Sequence, residues 1–114
     1  QSLDKHKHVL TITKYASDEY QFGSKERGRN IFEGMLTNYP KRHDLWTIYI
    51  DREVKSGNID AARKLYERFV NSEVKPGKMK SRFKKYLDFE MKYGDESSVE
   101  HVKAKARLYV QSIE

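Results

Sequence analysis

The sequence predicts an all-α protein, an α-solenoid of three antiparallel helix pairs whose last pair is degenerate. Three observations predict this fold class. A set of residues recurs at a fixed period, apolar residues recur at helical spacing, and glycine, proline and capping residues stand where helices would end. The three pairs are expected at residues 1–40, 41–76 and 77–114 of the 114-residue chain.

The period appears when the chain is compared with itself. Seven positions of the first unit recur 34 residues later, and part of the second unit recurs after a further 37 residues. The matched residues are Ile12 and Trp46, Tyr15 and Tyr49, Glu19 and Glu53, Gly23 and Gly57, Arg29 and Arg63, Phe32 and Tyr66, and Glu33 and Glu67, followed in the third unit by Phe83, Tyr86, Glu90 and Gly94. A period of this length indicates stacked supersecondary units.

Each unit is expected to contain two amphipathic helices. The second helices have narrow apolar faces, made of Ile31, Phe32, Met35 and Leu36 in unit one and of Ala62, Leu65, Tyr66 and Phe69 in unit two. The first helices have broader faces, among them Ile12, Tyr15, Ala16 and Tyr20, and the aromatic-rich stretch from Met79 to Tyr93 is broader still. A broad apolar face is typical of a helix that packs against neighbours on two sides. For the stretch from Met79 to Tyr93 there is an alternative interpretation, in which some of the aromatic residues are exposed and form a partner-binding surface.

Residues that end and begin helices stand at matching places in the units. Gly23, Gly57 and Gly94 are expected to end the first helices in a left-handed conformation. The expected amino-terminal caps of the second helices are Ser24, Asn58 and Ser97, and the residues expected to close these helices in units one and two are Pro40 and Pro76.

The second unit contains an aromatic residue, Tyr and Glu in its first helix, then Ala-Arg, an aromatic residue and Glu-Arg in its second. These residues are Trp46, Tyr49, Glu53, Ala62, Arg63, Tyr66, Glu67 and Arg68. The pattern resembles the half-a-TPR, or HAT, repeat family over nearly the whole chain, which implies a TPR-like superhelix. Unit three has Glu90 but no matching arginine, since Glu100 and His101 occupy that region, and its second helix is expected to act as a terminal cap.

Two glutamate–arginine pairs are expected to join the helices of a unit across their turn. Glu53 lies near the carboxyl end of one helix and Arg63 near the amino end of the next, and both charges oppose the helix dipoles there. A partner across the turn would offset both costs. The same reasoning pairs Glu19 with Arg29.

A narrower resemblance points to function. The stretches 27–33, 39–51, 78–80 and 83–90 resemble the HAT region of a ribosomal-RNA-processing factor. That likeness implies a nuclear, nucleolar scaffold that binds protein partners in a large ribonucleoprotein assembly, and pre-ribosomal RNA, during small-subunit rRNA processing. Splicing and mRNA 3′-end processing factors also contain HAT repeats, so a protein-interaction module of one of these is the alternative.

The net charge of +6 favours an anionic partner such as RNA or an acidic protein. Basic residues that follow the second helices, or continue into the next helix, are expected along one edge of the solenoid: Lys41, Arg42, Lys75, Lys78, Lys80, Arg82, Lys84 and Lys85. Phosphate contact or docking of an acidic protein is one interpretation of this edge. A solvated edge without a partner is the other.

No catalytic, cofactor-binding or metal-binding residues are predicted. The chain has no cysteine, its four histidines are scattered or wrongly spaced, and it has neither a nucleophile elbow nor a phosphate-binding loop. No segment is apolar enough to cross a membrane. Neither an enzyme nor a small-molecule substrate is therefore expected, and self-association is expected if a helix face lacks its neighbouring repeat.

Overall fold

The computed structural model describes residues 2–114, with side chains from His8 onward. The described residues form six α-helices and no strand: α1 (Ser2–Phe22), α2 (Lys25–Asn38), α3 (His43–Lys55), α4 (Ile59–Asn71), α5 (Pro76–Tyr93) and α6 (Glu96–Ile113). The all-α class is confirmed, whereas the stacking of three antiparallel pairs into a solenoid stays a prediction. None of these described helices is long and apolar enough to span a membrane.

The chain divides into two compact structural units, Gln1–Leu65 and Tyr66–Glu114, which differ from the three sequence repeats. The division between them falls inside α4. In the first unit, α1 packs along α2, and α3 contacts both. The contact between α1 and α2 is close at Gly28, where a Cβ atom would lie 2.6 Å from the Cα of Tyr20. Any side chain at this position would therefore separate the two helices.

The buried face of α1 differs from the predicted one. It consists of Val9, Thr13, Ala16 and Tyr20, which recur at helical spacing. Tyr15 was expected on this face, yet its side chain is 56% exposed.

In the second unit, α5 packs against α6 and against the last turns of α4. Phe83, Tyr86 and Phe89 of α5 are buried. The face of α6 is less well covered, because Val102 is its one buried apolar residue in the described chain. Three apolar residues in its carboxyl-terminal half are exposed: Leu108, Val110 and Ile113. Two of them, Leu108 and Ile113, line a pocket together with Val70 and Met79.

The glycines at the helix ends serve two different purposes. Gly57 has a φ of 80°, the left-handed conformation expected of it, and it is the one glycine of the described chain that adopts a positive φ. Gly23 and Gly94 do not, which corrects the prediction for them. A Cβ atom would lie 2.7 Å from Glu19 Oε1 at Gly23 and 2.5 Å from Glu90 Oε1 at Gly94. These two glycines therefore make room for a glutamate carboxylate one turn earlier.

The caps agree with the sequence at Ser24, whose hydroxyl accepts a hydrogen bond from the Arg27 amide at 3.2 Å. Two other predictions are wrong. Asp95, not Ser97, caps α6, since its carboxylate accepts from the Ser98 amide at 2.9 Å. Pro76 begins α5 instead of closing α4, and its missing amide hydrogen costs nothing in a first turn.

Candidate functional site

The aromatic residues of the repeat signature meet between α2 and α3. The rings of Phe32 and Tyr49 stack with centroids 4.7 Å apart and planes inclined by 7°. The Tyr49 hydroxyl donates a hydrogen bond to Glu33 Oε2 at 3.0 Å. Burial, followed by the negative charge of Glu33, raises the pKa of Tyr49 well above its usual value. We call this arrangement of ring, tyrosine and glutamate a tyrosine joint.

A second tyrosine joint forms between α4 and α5. Tyr66 stacks on Tyr86 with centroids 5.3 Å apart and planes inclined by 3°, and the Tyr86 hydroxyl donates to Glu67 Oε2 at 2.7 Å. Two basic side chains of α6 contact the same carboxylate, Lys105 Nζ at 2.9 Å and His101 Nε2 at 3.1 Å. Burial acts to raise the pKa of Glu67, but the hydrogen bonds from Tyr86 and these two residues lower it below its usual value.

Tyr15 occupies the matching position in α1 but forms no such joint. Its side chain is 56% exposed, whereas Tyr49 and Tyr86 are 4% and 1% exposed. In both joints the stacking ring and the glutamate come from the helix that precedes the tyrosine in the chain. In the part of the chain that the structure describes, no ring stacks on Tyr15 and no carboxylate accepts a hydrogen bond from its hydroxyl.

Glu53 is the centre of a buried polar cluster between α1, α2 and α3. It is 1% exposed, and Arg29 donates two hydrogen bonds to it, from Nε at 2.7 Å and from Nη2 at 2.8 Å. The Tyr20 hydroxyl also donates to Glu53 Oε1, and Asn58 Nδ2 donates to the same oxygen at 3.2 Å. Burial acts to raise the pKa of Glu53, but the hydrogen bonds from Arg29, Tyr20 and Asn58 outweigh it and lower the pKa.

The two predicted pairs across the turn are therefore wrong. Arg29 binds the glutamate of the following helix, Glu53, instead of the preceding Glu19. Arg63 donates to Asp60 at 3.1 Å, one turn earlier in its own helix. Glu19 accepts a hydrogen bond from the Ser24 amide at 3.3 Å, and Arg27 approaches it at 3.6 Å. Glu53 does have an arginine partner, as its place at the carboxyl end of α3 predicts, but that partner is Arg29 and not Arg63.

The remaining signature residues lie in the core of their units. Trp46 is 4% exposed and donates from its ring nitrogen to the Pro40 carbonyl at 2.9 Å. Phe83 is 8% exposed and lies 5.8 Å from the Tyr109 ring, and Glu90 is 1% exposed.

The structure separates the predicted basic residues into three groups. Six lysines are exposed: Lys41, Lys75, Lys78, Lys80, Lys84 and Lys85. Arg42 is half-buried and bound to Asp44, with its Nη2 2.9 Å from Oδ2. The hydrogen bond to Asp44 raises the pKa of Arg42 despite partial burial. The prediction of Arg82 on the basic edge is wrong, because its side chain is fully buried and not available to an external anion.

Arg82 closes the carboxyl end of α4. Its Nη1 donates to the Phe69 carbonyl at 2.9 Å, and its guanidinium carbon lies 4.3 Å from the centre of the Phe69 ring. Its other two nitrogens, Nε and Nη2, are buried without a hydrogen-bond partner in the described chain. Burial lowers the pKa of this arginine. The matching position in the second sequence repeat, 37 residues earlier, is Leu45, which is equally buried.

We expect Arg82→Leu to raise the free energy of unfolding by about 1 kcal/mol, since a buried charge with unsatisfied donors is replaced by an apolar side chain. Arg82→Ala, the control, should instead lower it by about 2 kcal/mol because it leaves a cavity. Urea unfolding followed by circular dichroism measures both. A clear loss of stability in the leucine variant would show that the contacts with Phe69 outweigh the unsatisfied nitrogens.

Two basic residues of a surface groove were not among those predicted. Lys103 and Arg107 of α6 line a groove between α5 and α6, opposite Lys80 and Lys84. The signal was present, since each pair is spaced by four residues, but the contact between the helices was needed to bring the two pairs together. Among the described residues, no group of three or more His, Asp or Glu side chains is placed to bind a metal.

No protein-family model matches the chain. The rRNA biogenesis protein RRP5 of Arabidopsis thaliana is 46% identical over 110 residues, which cover 96% of this chain and 6% of that protein. The RRP5 homolog of Mus musculus is 46% identical over 105 residues, again 6% of its length. The pre-mRNA-splicing factor CLF1 of Pyricularia oryzae is 28% identical over 95 residues, 76% of this chain and 14% of that protein.

The chain thus spans only a small part of each of these relatives. Identity is higher with the RRP5 proteins, and their matches cover more of the chain. The chain is therefore a homologue of one segment of the RRP5 proteins, which confirms the resemblance to the HAT region of a ribosomal-RNA-processing factor predicted from its sequence.

Proposed function

We propose that the chain is a non-catalytic scaffold module of a larger ribosome-biogenesis factor. In this proposal it binds assembly-factor proteins, and pre-ribosomal RNA through exposed lysines outside the groove between α5 and α6, during small-subunit rRNA processing in the nucleolus. The observation that carries the proposal is the 46% identity to RRP5 over 96% of the chain.

The geometry supports a scaffold more than an enzyme. The polar clusters around Glu53 and Glu67 use their hydrogen bonds to join helices. Glu53 is buried against three donors, which leaves no room for a substrate. A catalytic group would instead be expected in an open pocket within reach of a ligand.

The repeated tyrosine joint also supports a role in assembly. Each joint connects two consecutive helices in the same way, through a stacked pair of rings and a hydrogen bond from the tyrosine hydroxyl to a glutamate carboxylate. Repeats that contact their neighbours in this way stack into elongated arrays, and such arrays offer extended surfaces to partners. We infer that the helix pairs of this chain stack as a short solenoid.

Co-purification tests the proposal. A tagged full-length protein that contains this segment is isolated from nuclear extract after crosslinking, and the attached RNAs are sequenced. We expect pre-ribosomal RNA and small-subunit assembly factors to be enriched over a tagged control protein. Deletion of the segment should reduce the recovery of these factors and cause unprocessed pre-rRNA to accumulate on northern blots.

The alternative, a module of a splicing factor, follows from the likeness to CLF1. It predicts enrichment of spliceosomal small nuclear RNAs in the same experiment. Recovery of those RNAs without pre-ribosomal RNA would overturn the proposal.

A further inference from the structure

A groove of about 400 Å³ lies between α5 and α6. Its floor is apolar and is formed by Leu87, Val102 and Ala106, together with the edge of Phe83. Of the described residues, Phe83 is the one aromatic residue that lines the groove, and it is 8% exposed.

The rim of this groove is basic on both sides. Lys80 and Lys84 stand one helical turn apart on α5, and Lys103 and Arg107 stand one turn apart on α6. All four side chains are exposed, and no acidic residue among those that the structure describes lines the groove. Arg107 binds Glu100 at 2.9 Å, but the three lysines have no carboxylate within 4.0 Å in the described part of the chain. Positive charge therefore surrounds an apolar floor, and its nearest counter-charge is Glu100 on the α6 side, whose pKa is lowered by Arg107 and by Lys103.

We propose that this basic groove is the docking site for an acidic amphipathic segment of a partner protein. Such a segment would place apolar side chains on the floor and aspartate or glutamate side chains against the lysines. The proposal deepens the scaffold function and rests on it, because it specifies the chemistry of one bound partner.

RNA fits the groove less well. Single-stranded nucleic acid is bound by cations combined with exposed aromatic faces on which bases stack. The only aromatic ring here is almost completely buried, so it offers no stacking face. Phosphates could reach the lysines, but the apolar floor would then gain nothing from the contact. The combination of floor and rim favours a protein ligand.

The test uses the purified chain and a synthetic fluorescent peptide of about 15 residues, long enough for four helical turns. Leucines recur along one face of the peptide, and glutamates flank them. Fluorescence anisotropy measures its binding. Lys84→Glu combined with Lys103→Glu should weaken binding by about tenfold or more, because both rims then repel the peptide.

Lys78→Glu combined with Lys85→Glu is the matched control. It changes the net charge equally, and both residues are exposed on α5 outside the groove. We expect this control to weaken peptide binding by no more than about threefold. A third variant, Ala106→Phe, fills the floor without changing charge and should also weaken binding by about tenfold. Thermal unfolding of each variant verifies that the fold is retained.

A uridine homopolymer measures the competing ligand class. Contacts with phosphates depend on the number of cations, so its weak binding should decline similarly in both double variants and persist in Ala106→Phe. The proposal is overturned if the wild-type chain does not bind the peptide. It is equally overturned if the two double variants behave alike, or if the homopolymer displaces the peptide at lower concentration.

Failure here is distinguishable from failure of the scaffold function. If the peptide does not bind but pre-ribosomal RNA and assembly factors still co-purify with the full-length protein, only the groove assignment is wrong. If small nuclear RNAs co-purify instead, the ribosomal function is wrong regardless of the peptide result.

Discussion

Tyr49→Ala should lower the free energy of unfolding by about 3–4 kcal/mol, whereas Tyr15→Ala should change it by less than about 1 kcal/mol. The two tyrosines occupy equivalent places in the repeat, so sequence alone predicts equal effects. Tyr49 is 4% exposed, stacks on Phe32 and donates to Glu33. Tyr15 is 56% exposed, and its removal leaves no cavity.

Urea unfolding of the two alanine variants, followed by circular dichroism, measures the difference directly. Tyr49→Phe separates the contributions, because it removes the hydrogen bond to Glu33 and preserves the stacked ring. We expect a loss of about 1 kcal/mol from this change, so most of the alanine effect should come from packing. Equal losses from Tyr15→Ala and Tyr49→Ala would contradict the tyrosine joint as the source of stability.

The same comparison shows what the sequence could and could not predict. The helices were predictable because apolar spacing and turn residues are local signals. The observed ends of α1 and α3, Phe22 and Lys55, lie within two residues of the expected Gly23 and Gly57. The contacts of the signature residues were not predictable in this way. A repeat identifies equivalent residues, but it does not say whether they face a helix of their own unit or of the next.

Arg82 illustrates a different failure. It was grouped with neighbouring lysines because all of them are basic. Its spacing from Met79, Phe83 and Tyr86 nevertheless places it on the buried face of α5, as the helical period alone could have indicated. The charge of Arg82 predicts a surface position, but its position on the helix determines that the side chain is buried. The groove lysine Lys103 was missed for the opposite reason, since α6 has no repeat signature to draw attention to it.

Glu53→Gln should lower the free energy of unfolding by about 2–3 kcal/mol at neutral pH. The substitution keeps the shape of the side chain but removes the negative charge opposite Arg29, and an amide accepts fewer hydrogen bonds than a carboxylate. Arg29 retains partial access to water, with 37% of its side chain exposed, which keeps the loss below that of a fully buried pair. Glu19→Gln is the matched control in α1 and should cost less than about 1 kcal/mol, because its arginine lies 3.6 Å away and is 71% exposed.

The pH dependence of unfolding identifies the charge as the cause. The folded-state pKa of Glu53 is lower than its unfolded value of about 4.3, so its contribution is fully present above that value and is lost as the pH falls through the folded pKa. Wild-type stability should therefore fall as the pH drops below about 5. The fall should be smaller in Glu53→Gln but still present, because the pKa of Glu67 is lowered too. Identical slopes in the two proteins over this range would show that ionised Glu53 does not stabilise the fold.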